Sequence, residues 1–242
     1  MKHLIYMLLT LLLAGAVSPA QARVSTPGIS FYVLRVIYPE SEKQGVTLTA
    51  YNKSQAPYLI QSTVRPVEPS SGGVDLDWQG TPAMPFIVTP PLARLESGGE
   101  LTLRIRRNDV PLPADRESVF FISMKALPAQ QPGGELMVMT VVSNMKLFYR
   151  PESLKKRAVA DMAARLSFKR TGDQLTAINP TPYWLTFSRL SVGNKALDKS
   201  SLRLMVPPFG QQSYPVPAGA AGGITWQLID EDGWDTPVSR QG

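Results

Sequence analysis

The run Leu136–Pro151, LMVMTVVSNMKLFYRP, is the longest strand-like stretch of the sequence, and the other elements are interpreted around it. Successive side chains of a strand point to opposite faces, so Met137, Met139 and Val141 share one face. The opposite face carries valines as well, which makes both faces apolar. One face can enter a core while the other offers an apolar row to a partner. At a sheet edge, such a strand is a template for pairing with another chain.

The chain begins with the features of a targeting signal. Lys2 and His3 are followed by the apolar run Leu4–Val17 and then by the small-residue site Ala20–Ala22. This order is typical of a secretory signal peptide and predicts that residues 1–22 are removed. The apolar run is too short to span a membrane and no second run follows, so no membrane insertion is expected.

The composition argues against most catalytic chemistry. The sequence contains no cysteine, and its single histidine, His3, lies in the signal peptide. The mature chain therefore offers no Ser-His-Asp triad, no cysteine nucleophile and no usual zinc ligand set. Chemistry that uses carboxylates alone stays open, but the chain is predicted to be neither an enzyme nor a cofactor protein. The formal net charge of +6 is spread along the chain, so nucleic acid is not an expected partner.

Short alternating runs with turn signals between them recur along the mature chain. This spacing indicates an all-β protein built from sandwiches. The absence of disulfides means that the stability of an exported chain depends on packed cores. The runs predicted as strands are Ile29–Tyr38, Gly45–Asn52, Pro57–Val64, Phe86–Thr89, Leu101–Arg106, Ser118–Leu127, the opening run, Ala163–Arg170, Gln174–Asn179, Tyr183–Val192, Leu202–Val206 and Ile224–Ile229.

A linker divides the chain into two predicted domains. Ser153–Leu166 combines three consecutive basic residues with alanines, and we interpret it as a connection with one helical turn. It separates a first domain, residues 23–152, from a smaller second domain, residues 153–242. The proline-rich segment Pro66–Pro85 carries Trp78 and is predicted to be a loop of unassigned role, and the tail from Trp234 is expected to fray.

Several motifs together give the chain a family resemblance. The most specific are Asp115–Pro128 (DRESVFFISMKALP), Lys146–Pro151 (KLFYRP) and Asn179–Tyr183 (NPTPY), and weaker ones are Arg35–Tyr38 and Ile87–Pro91. In this order they resemble the periplasmic chaperones of pilus assembly, the chaperone–usher class. The resemblance covers nearly all of the mature chain. It implies two immunoglobulin-like β-sandwich domains set at an angle.

The resemblance also implies a function. Such a chaperone acts in the periplasm, lends an edge strand to an incomplete pilus subunit and passes the complex to an outer-membrane usher, without ATP. By this likeness Met137, Met139 and Val141 form the row inserted into the subunit. Arg35 and Lys146 match two cleft cations that hold the C-terminal carboxylate of the subunit. Whether the free chaperone covers its edge strand by forming a homodimer stays open.

Further likenesses and departures concern the rest of the molecule. Glu117, Arg150 and Glu231 match a buried charge cluster that fixes the two domains to each other, although relatives usually have Asp at the last position. The short segment Ala129–Gly134 resembles the short-loop branch, which builds rod-like pili. Leu34, which precedes the first cleft cation, stands where many relatives have a small polar residue.

The residues alone leave alternatives open. A Met/Val row is more often plain sandwich core, and a cation such as Arg35 in an apolar strand is more often an edge charge that opposes aggregation. Two other classes of protein also fit these residues: a structural surface protein and a carbohydrate-binding β-sandwich protein. Val141 and Lys146 differ in parity and would face opposite sides of a regular strand, so we predict an irregularity, a bulge or a strong twist, near Ser143–Asn144.

Overall fold

The computed structural model describes residues 28–128 and 140–242. The first half of the described chain forms two facing sheets. One sheet has the order β1-β3-β7-β5, and the other has the order β2-β9-β8-β4-β6. The strands are β1 (Ile29–Ser30), β2 (Arg35–Pro39), β3 (Val46–Asn52), β4 (Tyr58–Arg65), β5 (Phe86–Thr89), β6 (Leu92–Leu95), β7 (Glu100–Arg107), β8 (Ser118–Pro128) and β9 (Val141–Arg150).

The core of this sandwich lies between the two sheets, where alternate residues of each strand are buried. Leu103 and Ile105 of β7 are fully buried, whereas Arg104 between them is exposed. Leu147 and Tyr149 of β9 face them from the other sheet. Burying each such side chain contributes about 1.5–3 kcal/mol, so the alternation read from the sequence is the main source of stability.

The run Ile29–Tyr38 is not one strand, as the sequence predicted, but two that belong to different sheets. β1 pairs antiparallel with β3, whereas β2 pairs parallel with β9. Residues 31–34 cross from one sheet to the other, and Tyr32 and Leu34 are exposed in this crossing. Sequence alternation alone cannot reveal the crossing, because β-branched and aromatic residues continue through it.

The second half forms another pair of sheets, ordered β10-β11-β14 and β13-β12-β15-β16. Trp226 and Tyr214 are buried in the core between these sheets. The predicted linker contains the short helix α1 (Val159–Ala163), and a 3-10 turn (Ser201–Arg203) takes the first two residues of the predicted strand Leu202–Val206. The strands are β10 (Ser167–Thr171), β11 (Gln174–Asn179), β12 (Phe187–Val192), β13 (Lys195–Ala196), β14 (Gly210–Pro215), β15 (Ile224–Leu228) and β16 (Ser239–Gln241).

Two segments that the sequence predicted to be a frayed tail and a loop form β-type hydrogen bonds. The tail beyond Trp234 does not fray, because β16 pairs antiparallel with β15. The proline-rich loop folds back on itself through a bridge between Val67 and Val74. Its Gly72 has φ +66°, and a Cβ there would lie 2.4 Å from the carbonyl oxygen of Arg203. The loop of the first domain is therefore packed against the backbone of the second.

Candidate functional site

Strand β9 is paired on both sides over only half of its length. β8 lies beside it from Val141 to Tyr149. On the other side, β2 begins at Arg35, which is in register with Lys146, and the pairing continues to Arg150. Among residues 28–128 and 140–242, no strand pairs with Val141–Met145 on this second side. This stretch is an open edge whose backbone groups are available to another chain.

The predicted bulge near Ser143–Asn144 is wrong. β8 and β9 keep one unbroken register from Ala126 opposite Val141 to Ser118 opposite Tyr149, so β9 has no extra residue here. Val141 and Lys146 therefore face opposite sides of the sheet, as their parity requires. Val141 and Lys146 thus lie on two separate surfaces of β9, with Arg35 of β2 in register with Lys146, and no irregularity is needed to reconcile them.

The face of β9 that packs in the core is buried at the end of the strand but becomes exposed toward its start. Leu147 and Met145 are buried, Ser143 is partly buried, and Val141 on the same face is 46% exposed. The described part of the predicted row, Val141, thus continues the core face of β9 but is not covered by the described residues. Met137 and Met139, which continue the row, lie outside the described residues.

Arg35 and Lys146 are neighbours where the open edge ends. Arg35 donates from Nη1 to the carbonyl oxygen of Ile229 in the second domain at 3.0 Å, and its guanidinium lies over the Phe148 ring. Its Nε is buried and has no hydrogen-bond partner. In the part of the chain that the structure describes, no carboxylate oxygen lies within 4.0 Å of either cation.

The two cations are held at an electrostatic cost. Burial, the larger cause, and the positive charge of Arg35 together lower the pKa of Lys146 to about 8. Burial also lowers the pKa of Arg35 to about 10, against the attraction of Glu117 and Glu231. Two like charges in a partly dehydrated site favour a bound anion, because an anion compensates for both burial and repulsion.

A second cluster of charges joins the two domains. Arg150 at the end of β9 donates to Glu117 at 2.6 Å and to Glu231 at 2.8 Å, and all three side chains are buried. Although burial raises the pKa of Glu231, the backbone N–H of Ala158 and the charge of Arg150 outweigh it, so the pKa lies below its usual value. The structure thus brings together the three residues that the sequence grouped.

The turn that carries Glu231 also reaches the open-edge site. Its Ile229 accepts the hydrogen bond from Arg35, and Glu231 accepts from the backbone N–H groups of Ala158 and Val159. One turn of the second domain therefore positions the cleft cation, the buried cluster and the start of helix α1. The hydrogen bond to Ile229 therefore links the position of the Arg35 guanidinium to the buried charge cluster.

Sequence reasoning missed one partner of the cluster. Trp184 donates its backbone N–H to Glu117 Oε2 at 2.8 Å and its indole N–H to the Glu117 carbonyl at 3.0 Å. Its position directly after the NPTPY motif was the available signal. The four tryptophans do not form a common surface, since Trp226 is buried and Trp184 is engaged between the domains. No platform that would bind a sugar is assembled from them.

The described ranges, 28–128 and 140–242, contain no cluster of acidic or histidine side chains suited to a metal ion. No helix within them is long and apolar enough to cross a membrane.

These features define a class: a two-domain β-sandwich protein with a half-open edge strand that ends at a cation pair in the interdomain cleft. Residues 28–155 match the family described as pili and flagellar-assembly chaperone, PapD N-terminal domain. Residues 161–239 match the pili assembly chaperone PapD, C-terminal domain. The chain belongs to this family of pilus assembly chaperones.

Individual relatives agree with this assignment. The chain is 35% identical to the chaperone protein FimC of Escherichia coli K12 over 215 residues, which cover 87% of this chain and 82% of FimC. It is 36% identical to FocC of E. coli over 86% of this chain and 87% of FocC. Among solved structures it resembles the Salmonella enterica SafB chaperone, bound there to the SafA pilin, with a TM-score of 0.75, 30% identity and coverage of 88% and 95%. It also resembles the E. coli chaperone DraB, with a TM-score of 0.73 and 32% sequence identity. This match covers 89% of this chain and 98% of DraB.

Proposed function

We propose that this protein is a periplasmic chaperone that binds and folds pilus subunits by donating the open edge of β9. The subunit's C-terminal carboxylate is held by Arg35 and Lys146, and the complex is then delivered to an outer-membrane usher. The observation that carries the proposal is the coincidence of two features. The open edge Val141–Met145 ends at the point where two cations lie with no carboxylate of the described residues within 4.0 Å.

This arrangement specifies the direction of the bound strand. A chain end that lies along Val141–Met145 and places its carboxylate at Lys146 must run in the same direction as β9. It would take the place that β2 occupies farther along, since β2 is also parallel to β9. The captured strand and β2 would then form one edge of the sheet, interrupted at Arg35.

The apolar row supplies most of the affinity in this mechanism. Burying Met137, Met139 and Val141 inside a subunit would contribute about 5–9 kcal/mol before ordering costs. Removing one cation from a desolvated carboxylate site costs about 2–5 kcal/mol. The cations therefore determine register, because a strand shifted along the edge would leave its carboxylate away from them. Methionine suits a row that must fit different subunits, since its side chain is flexible.

The open edge must be protected before a subunit arrives. A second copy of the chaperone is a natural cover, because two open edges can pair with each other. We propose this self-capping homodimer as a competitor of subunit binding. The rate of subunit capture should then rise less than in proportion to the chaperone concentration, because a growing share of the chaperone is held in dimers.

The decisive experiment is a periplasmic pull-down with tagged wild-type protein beside Lys146→Ala, with bound chains identified by mass. Lys169→Ala, which changes an exposed lysine on β10, is the matched control. We expect a small secreted β-rich chain to bind wild type and the control and to be lost with Lys146→Ala. Capture that is equal in all three proteins would contradict the anchor, and no captured chain with subunits expressed would contradict the chaperone function.

A further inference from the structure

Two large apolar side chains lie exposed beside the cation pair. Leu34 directly precedes Arg35 and is 70% exposed, and Trp234 in the second domain is 73% exposed. Leu34 packs on the residue before Trp234, since a Cβ built on Gly233 would lie 2.8 Å from Leu34 Cδ1. The two side chains thus flank one contact between the domains.

The turn that presents Trp234 is fixed by its own hydrogen bonds. Asp230 accepts from the backbone N–H of Trp234 at 2.8 Å, and its own N–H donates to the Trp234 carbonyl at 2.9 Å. Gly233, with φ +91°, allows the close approach of Leu34. The residue before Asp230 is Ile229, whose carbonyl accepts from Arg35. The exposed indole is therefore carried by a segment that is anchored to the cation site.

We infer that Leu34 and Trp234 form an apolar lip that contacts the side chain of the subunit's C-terminal residue, so that the site prefers chains ending in an apolar residue. The inference rests on the proposed function. The side chain of a terminal residue is attached one atom away from the carboxylate carbon. If Arg35 holds the carboxylate, its neighbour Leu34 is within reach of that side chain.

The charges around the lip also favour an apolar terminal residue over an acidic one. Asp230 and Glu231 belong to the turn, and both attract Arg35 electrostatically. A second carboxylate on the terminal residue would meet these like charges, whereas an apolar side chain would cover exposed leucine and indole surface. The expected order of preference at the terminal position is therefore apolar, then small polar, then acidic.

The test is a calorimetric titration with synthetic peptides of alternating valine and threonine that differ only in the last residue: leucine, serine or aspartate. We expect wild type to bind the leucine-ending peptide about tenfold more tightly than the serine-ending one, as for burial of one apolar side chain. Leu34→Ser and Trp234→Ser should each reduce this ratio to about two. Val238→Ser, which changes an exposed valine elsewhere in the second domain, should leave it unchanged.

The outcomes separate the lip from the anchor. A leucine-to-serine ratio near one in wild type, or a ratio that both lip variants keep, would overturn the lip while Lys146→Ala still abolishes binding of every peptide. Binding that survives both Lys146→Ala and amidation of the peptide carboxylate would overturn the anchor, and the lip with it. Thermal unfolding of the two lip variants checks that neither change disturbs the fold.

Discussion

Lys146, at the scale of one residue, is where the proposed anchor and the stability of the fold are expected to conflict. Its ammonium group is partly dehydrated and lies beside Arg35, and its pKa is lowered from 10.5 to about 8. Replacing it with an apolar side chain of similar length removes this cost. We expect Lys146→Met to raise the free energy of unfolding by about 1–2 kcal/mol at pH 7 while abolishing subunit capture.

The pH dependence of this stability difference has a definite sign. Between pH 8 and 10.5 the folded protein binds fewer protons at Lys146 than the unfolded chain, so wild-type stability rises with pH. The gain of Lys146→Met should therefore shrink across this window in urea titrations. A variant that is less stable than wild type at pH 7 would mean that Lys146 supports the fold.

The same residue predicts how subunit capture depends on pH. Only the protonated ammonium can hold a carboxylate, and a bound carboxylate favours that form. Because the pKa of Lys146 is about 8 in the free protein, about one tenth of the molecules are competent at pH 9. We expect affinity for a carboxylate-ending peptide to fall about tenfold between pH 7 and pH 9. Lys146→Arg, whose guanidinium stays charged, should give a nearly flat profile.

Arg150 differs from Lys146, because its positive charge neutralises two buried carboxylates. Its removal would leave the Glu117 and Glu231 carboxylates buried without a counter-charge. We expect Arg150→Ala to lower the free energy of unfolding by about 3–5 kcal/mol, measured by urea denaturation. Arg157→Ala, which breaks only an exposed pair with Asp232, should change it little. Equal effects would show that the buried cluster does not stabilise the folded chain.

At the scale of the element, β9 combines two surfaces on one strand. Val141 and Val142 are adjacent and similarly exposed, at 46% and 48%, but they face opposite sides. An unpaired charge is costly only where it would be buried on binding. We expect Val141→Glu to weaken subunit capture at least tenfold in a pull-down or titration, and Val142→Glu to weaken it much less.

Both variants should fold like wild type, since each valine is half exposed in the free chain. If Val141→Glu instead unfolded the free protein, its face would be ordinary core and the assignment of the row would be reversed. If Val142→Glu were the more damaging variant, the subunit would bind the opposite face of the strand.

The strands show which parts of the fold the sequence could predict. Alternation located β3, β4 and β7 because each buries one face against a core. It failed at residues 31–34, since a crossing between sheets leaves no break in an apolar run. It also misled at Ser143–Asn144, where a bulge was inferred from the assumption that the cations and the row share a surface. Family motifs indicated which residues to examine for the proposed site, whereas the opposite facing of Val141 and Lys146 required coordinates.

Contacts distant in sequence were the least predictable. Two such contacts are those of Leu34 with Gly233 and of the proline-rich loop with Arg203. In neither case does the local sequence of one residue indicate the other. Both contacts lie between the two domains. They show that the relation of the domains depends on more than the buried charge cluster that the motifs indicated.

At the scale of the whole molecule, the proline-rich loop is a second connection between the domains. It borders an apolar cavity of about 410 Å³, lined from the other side by Trp184, Leu204 and Met205. Gly72 is the point of closest approach, because its Cβ position is occupied by the Arg203 backbone. A side chain at Gly72 must push the loop away from the second domain and so loosen this connection.

A matched pair of glycines isolates that effect. Gly72 and Gly98 have nearly equal φ, +66° and +67°, but nothing lies within 4 Å of the Cβ position of Gly98. Both alanine variants should incur the backbone cost of a left-handed conformation, about 1–2 kcal/mol. Gly72→Ala should lose about 1–3 kcal/mol more by urea denaturation, because the Arg203 backbone cannot yield easily. It should also change the small-angle scattering profile, which reports the arrangement of the domains. Equal losses with identical profiles would mean that the loop moves aside at no cost, and the charge cluster alone would then set the relation of the two domains.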